Sequence, residues 1–249
     1  DKARGVPNSI LRGSIFSAIQ EQYAKYIDEV LHSDDNLTLI FRGIRLTQGD
    51  LDVWESILHI MRHHKLGEKI SVSEYEMLDI LGKVKVTTTK KGKKTRAAQG
   101  YYYDALRRSL KRLQGASVEI KHENYTYIGG LINDIFIDEV TKQLELSVNP
   151  RLGRLFTAGN TWVSWEERQK ITSKRPLAQW LHGYITSHVN MYPHKIETIR
   201  QRSGSQTKDI YKFKDSLESA LQTLKDQKLI LDFKIDEKKQ MHVKKIPNK

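Results

Sequence analysis

Apolar positions recur along this chain at two spacings, and their alternation divides it into two similar runs. Over "TQGDLDVWESILHIMRHHKLG", residues 47–67, Leu51, Trp54, Ile57, Leu58 and Met61 share one stripe at helical spacing. Thr47 or Asp50 is the expected cap and Gly67 the expected stop. A shorter helix is predicted over "SVSEYEMLDILG", opened in capping-box style by Ser71 or Ser73 with Glu74 or Glu76. Tyr75, Leu78 and Ile80 are its inward positions and Gly82 its end. A third helix is predicted over "AAQGYYYDALRRSLKRLQG", with Tyr102 or Tyr103, Leu106, Leu110 and Leu113 inward. Upstream, "LTLIFRGIRLT" predicts a strand pair broken at Gly43, and residues 116–150 alternate and turn like three antiparallel strands.

The second run repeats that order. "SKRPLAQWLHGYITSHV" predicts a helix with Pro176 in its first turn and Leu177, Trp180, Leu181 and Tyr184 inward. "HKIETIRQRSGS" predicts a short helix closed by Ser203 and Gly204, and "TKDIYKFKDSLESALQTLKDQKL" a long one striped by Ile210, Phe213, Leu217, Leu221 and Leu224. "ILDFKIDEKKQMHVKKI" reads as a hairpin with a charged turn. Three helices followed by a β-ribbon is the order of a winged helix. The predicted fold class is therefore α+β, with two tandem winged-helix domains. The first spans residues 1–165 and carries a basic loop at 83–98, and the second spans 166–249.

Charge changes the picture from fold to partner. The chain carries a net charge of +12, and between Lys83 and Gln114 eleven cations face the single acid Asp104. Nearly the whole excess is local, which points to a polyanion met by one surface. Lys90, Lys91, Lys93, Lys94 and Arg96 belong to a loop with no apolar residue between Val86 and Ala97, expected to be a mobile contact for the nucleic-acid backbone. The third helix carries Gln99, Tyr101, Arg107, Arg108 and Lys111 away from its apolar stripe, and a helix with that face suits a major groove. In the second run Ser205, Gln206 and Thr207 are expected at a helix N-terminus, where backbone N–H groups favour phosphate, followed by Lys208, Tyr211, Lys212 and Lys214. An RNA or single-strand binder would use the tyrosines as stacking platforms, and their helical placement argues for duplex instead.

Other chemistries fail on spacing. There is no cysteine, which excludes thiol nucleophiles and Cys-ligated zinc and is compatible with a cytoplasmic home. "GKKT" is no phosphate loop, because Thr87 stands where the first glycine is needed and Lys94 follows Lys93. Tyr101, Tyr102 and Tyr103 lack the His-apolar-His partner of rolling-circle strand-transfer nucleophiles. His59 and His63 are four apart without a third ligand, and Asp134, Asp138 and Glu139 read as surface acids. No catalytic residue, metal, cofactor or membrane span is assigned. Asp1 in place of an initiator Met points to a processed or excised chain.

The stretch "RPLAQWLHGYITSHVNMYPHKIETIRQRSGS" followed by "YKFKDSLESALQTL" resembles the C-terminal domain of TrfA-type plasmid replication initiators. "LTQGDLDVWESIL" and "GYYYDALRRSLKRLQGASV" are similar to that family's first domain, and "SWEERQKI" to its interdomain link. The resemblance implies a non-enzymatic initiator whose two winged helices bind origin repeats called iterons, help to open the adjacent AT-rich DNA, and engage host DnaA and the DnaB helicase. It also implies monomers active on DNA and inactive dimers off it. By matching position, its recognition helices fall on 99–112 and 205–214, while the loop 83–96 is longer than the family's turn. The alternative is a dimeric winged-helix transcription regulator reading inverted repeats.

Overall fold

The computed structural model describes residues 2–31, 38–65, 67–88, 94–122, 125–157 and 159–247, with only the backbone of His122 and Tyr125. Two hydrophobic centres organise it. The first gathers buried side chains from Val6 to Val163, the second from Ile171 to Met241.

The first centre lies beneath a four-stranded antiparallel sheet in the order Tyr125–Gly130, Ser117–His122, Thr38–Ile44, Tyr26–Leu31. Strand Thr38–Ile44 alternates as a half-buried strand must, with Leu39 and Phe41 inward. Gly43 was expected to break this run into two strands; instead it continues the strand at φ 140°. A Cβ there would meet the Gly115 carbonyl oxygen at 3.1 Å, so glycine lets the end of the third helix pass over the sheet. The helices Gln48–Met61 and Gly100–Gly115 lie against this centre through Leu51, Trp54 and Ile57 and through Leu106, Leu110 and Leu113.

Local signals set the helix starts. Thr47 and Asp50 close a reciprocal capping box on the first helix, and Ser73 with Glu76 does the same for Glu74–Ile80. The first helix ends at Met61, short of Gly67, and the second buries Met77 and Leu78 while Tyr75 and Ile80 stay half-buried. The strand prediction for 116–150 needs correction. Four strands occupy it, and they serve two sheets: Ser117–His122 and Tyr125–Gly130 join Thr38–Ile44, while Ile135–Ile137 and Gln143–Leu146 join Ile70–Ser73. Sequence alternation gives a strand's faces but not its neighbour, and tertiary pairing decided this case.

The second centre holds the helices Pro176–Ser187, Ile196–Arg202 and Ile210–Asp226 over a sheet ordered His194–Lys195, Gln240–Lys244, Asp232–Ile235. Pro176 occupies the first turn, Gly204 follows the short helix at φ 64°, and Phe213, Leu217, Leu221 and Leu224 are buried as their spacing predicts.

The two centres are joined by polar groups. Buried Arg168, on helix Trp165–Lys170, donates to Asp52 (2.8 Å), to the side chain and carbonyl of Gln48 (3.0 and 3.2 Å) and to the Gln179 carbonyl (2.6 Å). Segment 12–18 crosses over as well: Trp180 Nε1 donates to the Gly13 carbonyl (3.0 Å) and the Ala18 amide to the Ser203 carbonyl (2.7 Å).

Candidate nucleic-acid interface

The basic helix Gly100–Gly115 sorts its three tyrosines as helical geometry requires. Tyr101 is exposed and its ring centroid lies 4.1 Å from that of half-buried Tyr102, while Tyr103 packs at the edge of the core. A hydrogen bond with Tyr102 raises the Tyr101 phenol above its ordinary range. Lys83 Nζ stands 5.7 Å above the Tyr102 ring, a cation–π contact. Gln99 is exposed at the N-cap and makes no side-chain cap.

The arginines of this helix depart from the expectation of an open outward face. Arg107 grips Glu74, whose side chain is 2% exposed, through Nε (2.5 Å) and Nη2 (3.2 Å), and also pairs with Glu139 at 2.9 Å. These carboxylates hold the guanidinium above its ordinary pKa, and Arg107 with Lys142 holds the Glu139 carboxyl down at about 2. Arg107 is thus a clamp between the second helix and the turn after Ile135–Ile137. Glu139, read from sequence as a surface acid, is part of that clamp.

Arg108 pairs with Glu21 at 2.7 Å. Arg112 sits between Glu21 (2.8 Å) and fully buried Asp50 (2.8 Å). Asp50 also accepts from the Thr47 amide and hydroxyl and from the Ser109 hydroxyl at 2.5 Å. Capping box and basic helix are thereby one hydrogen-bonded unit. Lys111 differs from these neighbours. It is exposed and, among the described residues, pairs with no carboxylate.

The basic loop is corrected in its flanks. Lys85–Thr88 and Lys94–Ala97 form an antiparallel hairpin pairing Val86 with Arg96 and Thr88 with Lys94, all eight residues exposed. Polar β-branched threonines favour such a ribbon even without apolar alternation. Arg96 reaches Asp79 at 2.7 and 2.9 Å. Lys94 is exposed with no carboxylate partner among the described residues; Lys90, Lys91 and Lys93 lie outside the described residues.

In the second half the long helix begins later than expected. Asp209 is its N-cap, accepting from the amides of Tyr211 (2.8 Å) and Lys212 (3.1 Å). A carboxylate therefore already stands where a phosphate was expected. Ser205, Gln206 and Thr207 lie on an extended segment instead. The Ser205 hydroxyl accepts from the Thr207 amide, Gln206 donates to the Tyr23 carbonyl at 3.4 Å, and Arg200 donates to the carbonyls of Thr207 (3.0 Å) and Lys208 (2.6 Å).

The side chains of Lys208, Tyr211 and Lys212 are exposed, and Lys214 pairs with Glu218 at 3.6 Å. Lys239, from the hairpin turn, places Nζ 4.3 Å over the Tyr211 ring. Its signal in the sequence is the charged turn "DEKK".

Two concavities connect these regions. A groove of about 790 Å³ runs beside the basic helix, between Tyr101 and Arg108 on one wall and Ile44, Lys174 and Pro176 on others. A polar pocket of about 300 Å³ lies between Glu29 and Arg45 of the first half and Arg200 and Lys208 of the second. Among the described residues no three His, Cys, Asp or Glu side chains cluster to hold a metal, and no helix is long and apolar enough to cross a membrane. His59 is pushed down to about 4, first by burial and then by Arg4 and Arg62.

A mixed helix–strand chain with two cores and exposed lysines and tyrosines on its long helices is the class of protein these features define. It belongs to the TrfA protein family, whose model matches residues 1–245. It is 22% identical over 240 residues, 92% of its length, to the plasmid replication initiator protein TrfA of Escherichia coli, of which it spans 59%. Among solved structures it is similar in fold to domains 2 and 3 of RctB, at TM-score 0.61 and 14% identity over 96% of this chain and 98% of that one. A second structure of RctB domains 2–3 gives TM-score 0.51 at 12% identity, over 87% and 83%.

Proposed function

We propose that this chain is a plasmid replication initiator that binds duplex origin DNA without catalytic chemistry of its own. Each half acts as a winged helix, with the long helices Gly100–Gly115 and Ile210–Asp226 entering successive major grooves of one duplex. The observation that carries this reading is the set of exposed cations and rings on both halves, Lys94, Tyr101 and Lys111 with Lys208, Tyr211 and Lys212, in a chain of the TrfA family. The recurrence of two short-spaced helices, a long helix and a hairpin in each half supports the winged-helix assignment. The flanking hairpin 85–97 tracks the phosphate backbone. The protein works in the cytoplasm as a monomer on directly repeated iterons, and dimerises off DNA. Opening of the AT-rich tract and engagement of DnaA and DnaB follow once the repeats are filled.

The test is footprinting on duplexes carrying direct or inverted repeats spaced by about two helical turns, ~20 base pairs. Protection of each direct repeat independently is expected. Protection only of inverted pairs would make the protein a dimeric regulator. Cleavage of supercoiled origin DNA with magnesium or manganese would overturn the non-catalytic reading.

A further inference from the structure

Every arginine on the basic face of the first half is held by a carboxylate, but the carboxylates differ. Arg107 and Arg112 are tied to Glu74 and Asp50, which are 2% and 0% exposed, and no solute reaches those contacts without unpacking the core. Arg108 and Arg96 are tied only to Glu21 and Asp79, which are 40% and 39% exposed. Both arginines are themselves more than half exposed, at 54% and 57%. Pairs of that kind contribute little to stability and exchange partners readily.

Glu21 also sits at a crossing. It belongs to the 3₁₀ turn Glu21–Tyr23, whose Tyr23 carbonyl accepts from Gln206 of the second half, and it lines the groove beside Tyr101. It takes Arg108 Nε at 2.7 Å, Arg108 Nη2 at 3.3 Å and Arg112 Nη1 at 2.8 Å. Since Arg112 keeps three hydrogen bonds to Asp50, loss of the Glu21 charge releases Arg108 alone.

We infer that Glu21 and Asp79 are specificity-determining residues of the duplex-binding surface: they occupy Arg108 and Arg96 in the free protein, and a DNA phosphate must displace them. This rests on the duplex-binding reading above and deepens it. A random duplex offers phosphates but no base contacts to offset that exchange, whereas a cognate repeat offers both. The carboxylates therefore lower affinity for all DNA and lower it most where base contacts are absent. Arg107 takes no part, because Glu74 holds it whatever happens to Glu139.

The experiment measures anisotropy of a labelled mixed-sequence duplex, and of the tightest duplex selected from a random library, at about 0.1 M salt. It uses the full chain, Glu21→Gln, Asp79→Asn, Arg108→Ala, and Glu21→Gln combined with Arg108→Ala. Gln and Asn keep size and hydrogen bonding, and melting curves confirm folding. Each single carboxylate variant is expected to bind mixed-sequence duplex about three- to tenfold tighter, as one added phosphate contact implies, and the selected duplex less so. The selected-to-mixed ratio falls. In the Arg108→Ala background Glu21→Gln is expected to change little.

Unchanged or weaker binding by both carboxylate variants, with the parent chain still binding duplex, overturns the inference and leaves duplex binding standing. A gain that persists in full without Arg108 overturns it too, because it would mark a general charge effect. A parent chain that binds no duplex overturns both readings.

Discussion

The two long helices look alike in sequence and are used differently. Both carry an apolar stripe with cations on other faces, in excess on Gly100–Gly115 and balanced by Asp215, Glu218 and Asp226 on Ile210–Asp226. In the first, arginines dominate, and each planar fork is met by a carboxylate of its own half: Arg107 by Glu74, Arg108 by Glu21, Arg112 by Asp50. In the second, the cations are lysines; Lys212 and, just before the helix, Lys208 face solvent, while Lys214 pairs with Glu218 one turn away and Lys225 with Asp232 at 2.7 Å. A guanidinium matches a carboxylate with two parallel bonds, so it builds structure as readily as it reads DNA; a lysine is a hydrated point charge that is left available. A basic face counted from sequence therefore overstates the open charge where it is written in arginine.

The largest effect that would break this comparison is at Asp50. Asp50→Ala removes six hydrogen bonds and leaves Arg112, whose side chain is 11% exposed, with Glu21 as its remaining carboxylate. Loss of about 3–5 kcal/mol is expected in urea unfolding. A loss within about 0.5 kcal/mol would show that the network is dispensable.

Arg107→Ala comes next. It leaves buried Glu74 without its partner, and a cost of about 2 kcal/mol, or a melting temperature lower by about 4–8 °C, is expected. Duplex affinity of the folded fraction should hold. If affinity falls with the melting point unchanged, Arg107 is a DNA contact after all.

The junction between the two centres adds a pH dependence. Burial, with Asp52 nearby, raises Glu55 from 4.5 to about 7 against the opposing pull of Arg168 and Arg4. Between pH 4.5 and about 7 the folded chain keeps a proton there that the unfolded chain has released, so stability falls as pH rises through that window. Glu55→Gln should flatten this part of a stability-versus-pH curve, and a slope that survives the substitution would assign it elsewhere.

The lysines should act on binding alone. Replacing Lys90, Lys91, Lys93 and Lys94 by Ala is expected to make the log-affinity versus log-salt slope shallower by up to about 3.5, with no change in melting. Lys111→Ala and Lys212→Ala should each take about one unit from that slope and weaken all duplexes alike. A single-lysine effect confined to one sequence would make that residue a base reader.

Much of the fold was legible because the signals were local. The capping boxes at Thr47 and Ser73, Pro176 in a first turn and the stripe Phe213, Leu217, Leu221 and Leu224 each depend on residues within about three turns of one another. What failed was non-local. Gly43 read as a turn because the close approach of Gly115 is set by tertiary packing. The strands of residues 116–150 could not be divided between two sheets because their partners, Thr38–Ile44 and Ile70–Ser73, lie far upstream.

At the site, helical spacing placed Tyr101 outward and Lys111 exposed, as the structure shows. Spacing could not reveal that Glu74 stands 33 positions before Arg107 yet touches it. Nor did it place the start of the last long helix, expected at Ser205–Thr207; the Asp209 carboxylate caps it instead.

If exposed lysines of both halves meet the phosphates of one duplex, the salt dependence of binding tests that most directly. With ~8 phosphates neutralised, log affinity for a repeat-bearing duplex should fall with log salt at a slope of about −7, whereas a slope shallower than about −3 would contradict the two-halved footprint.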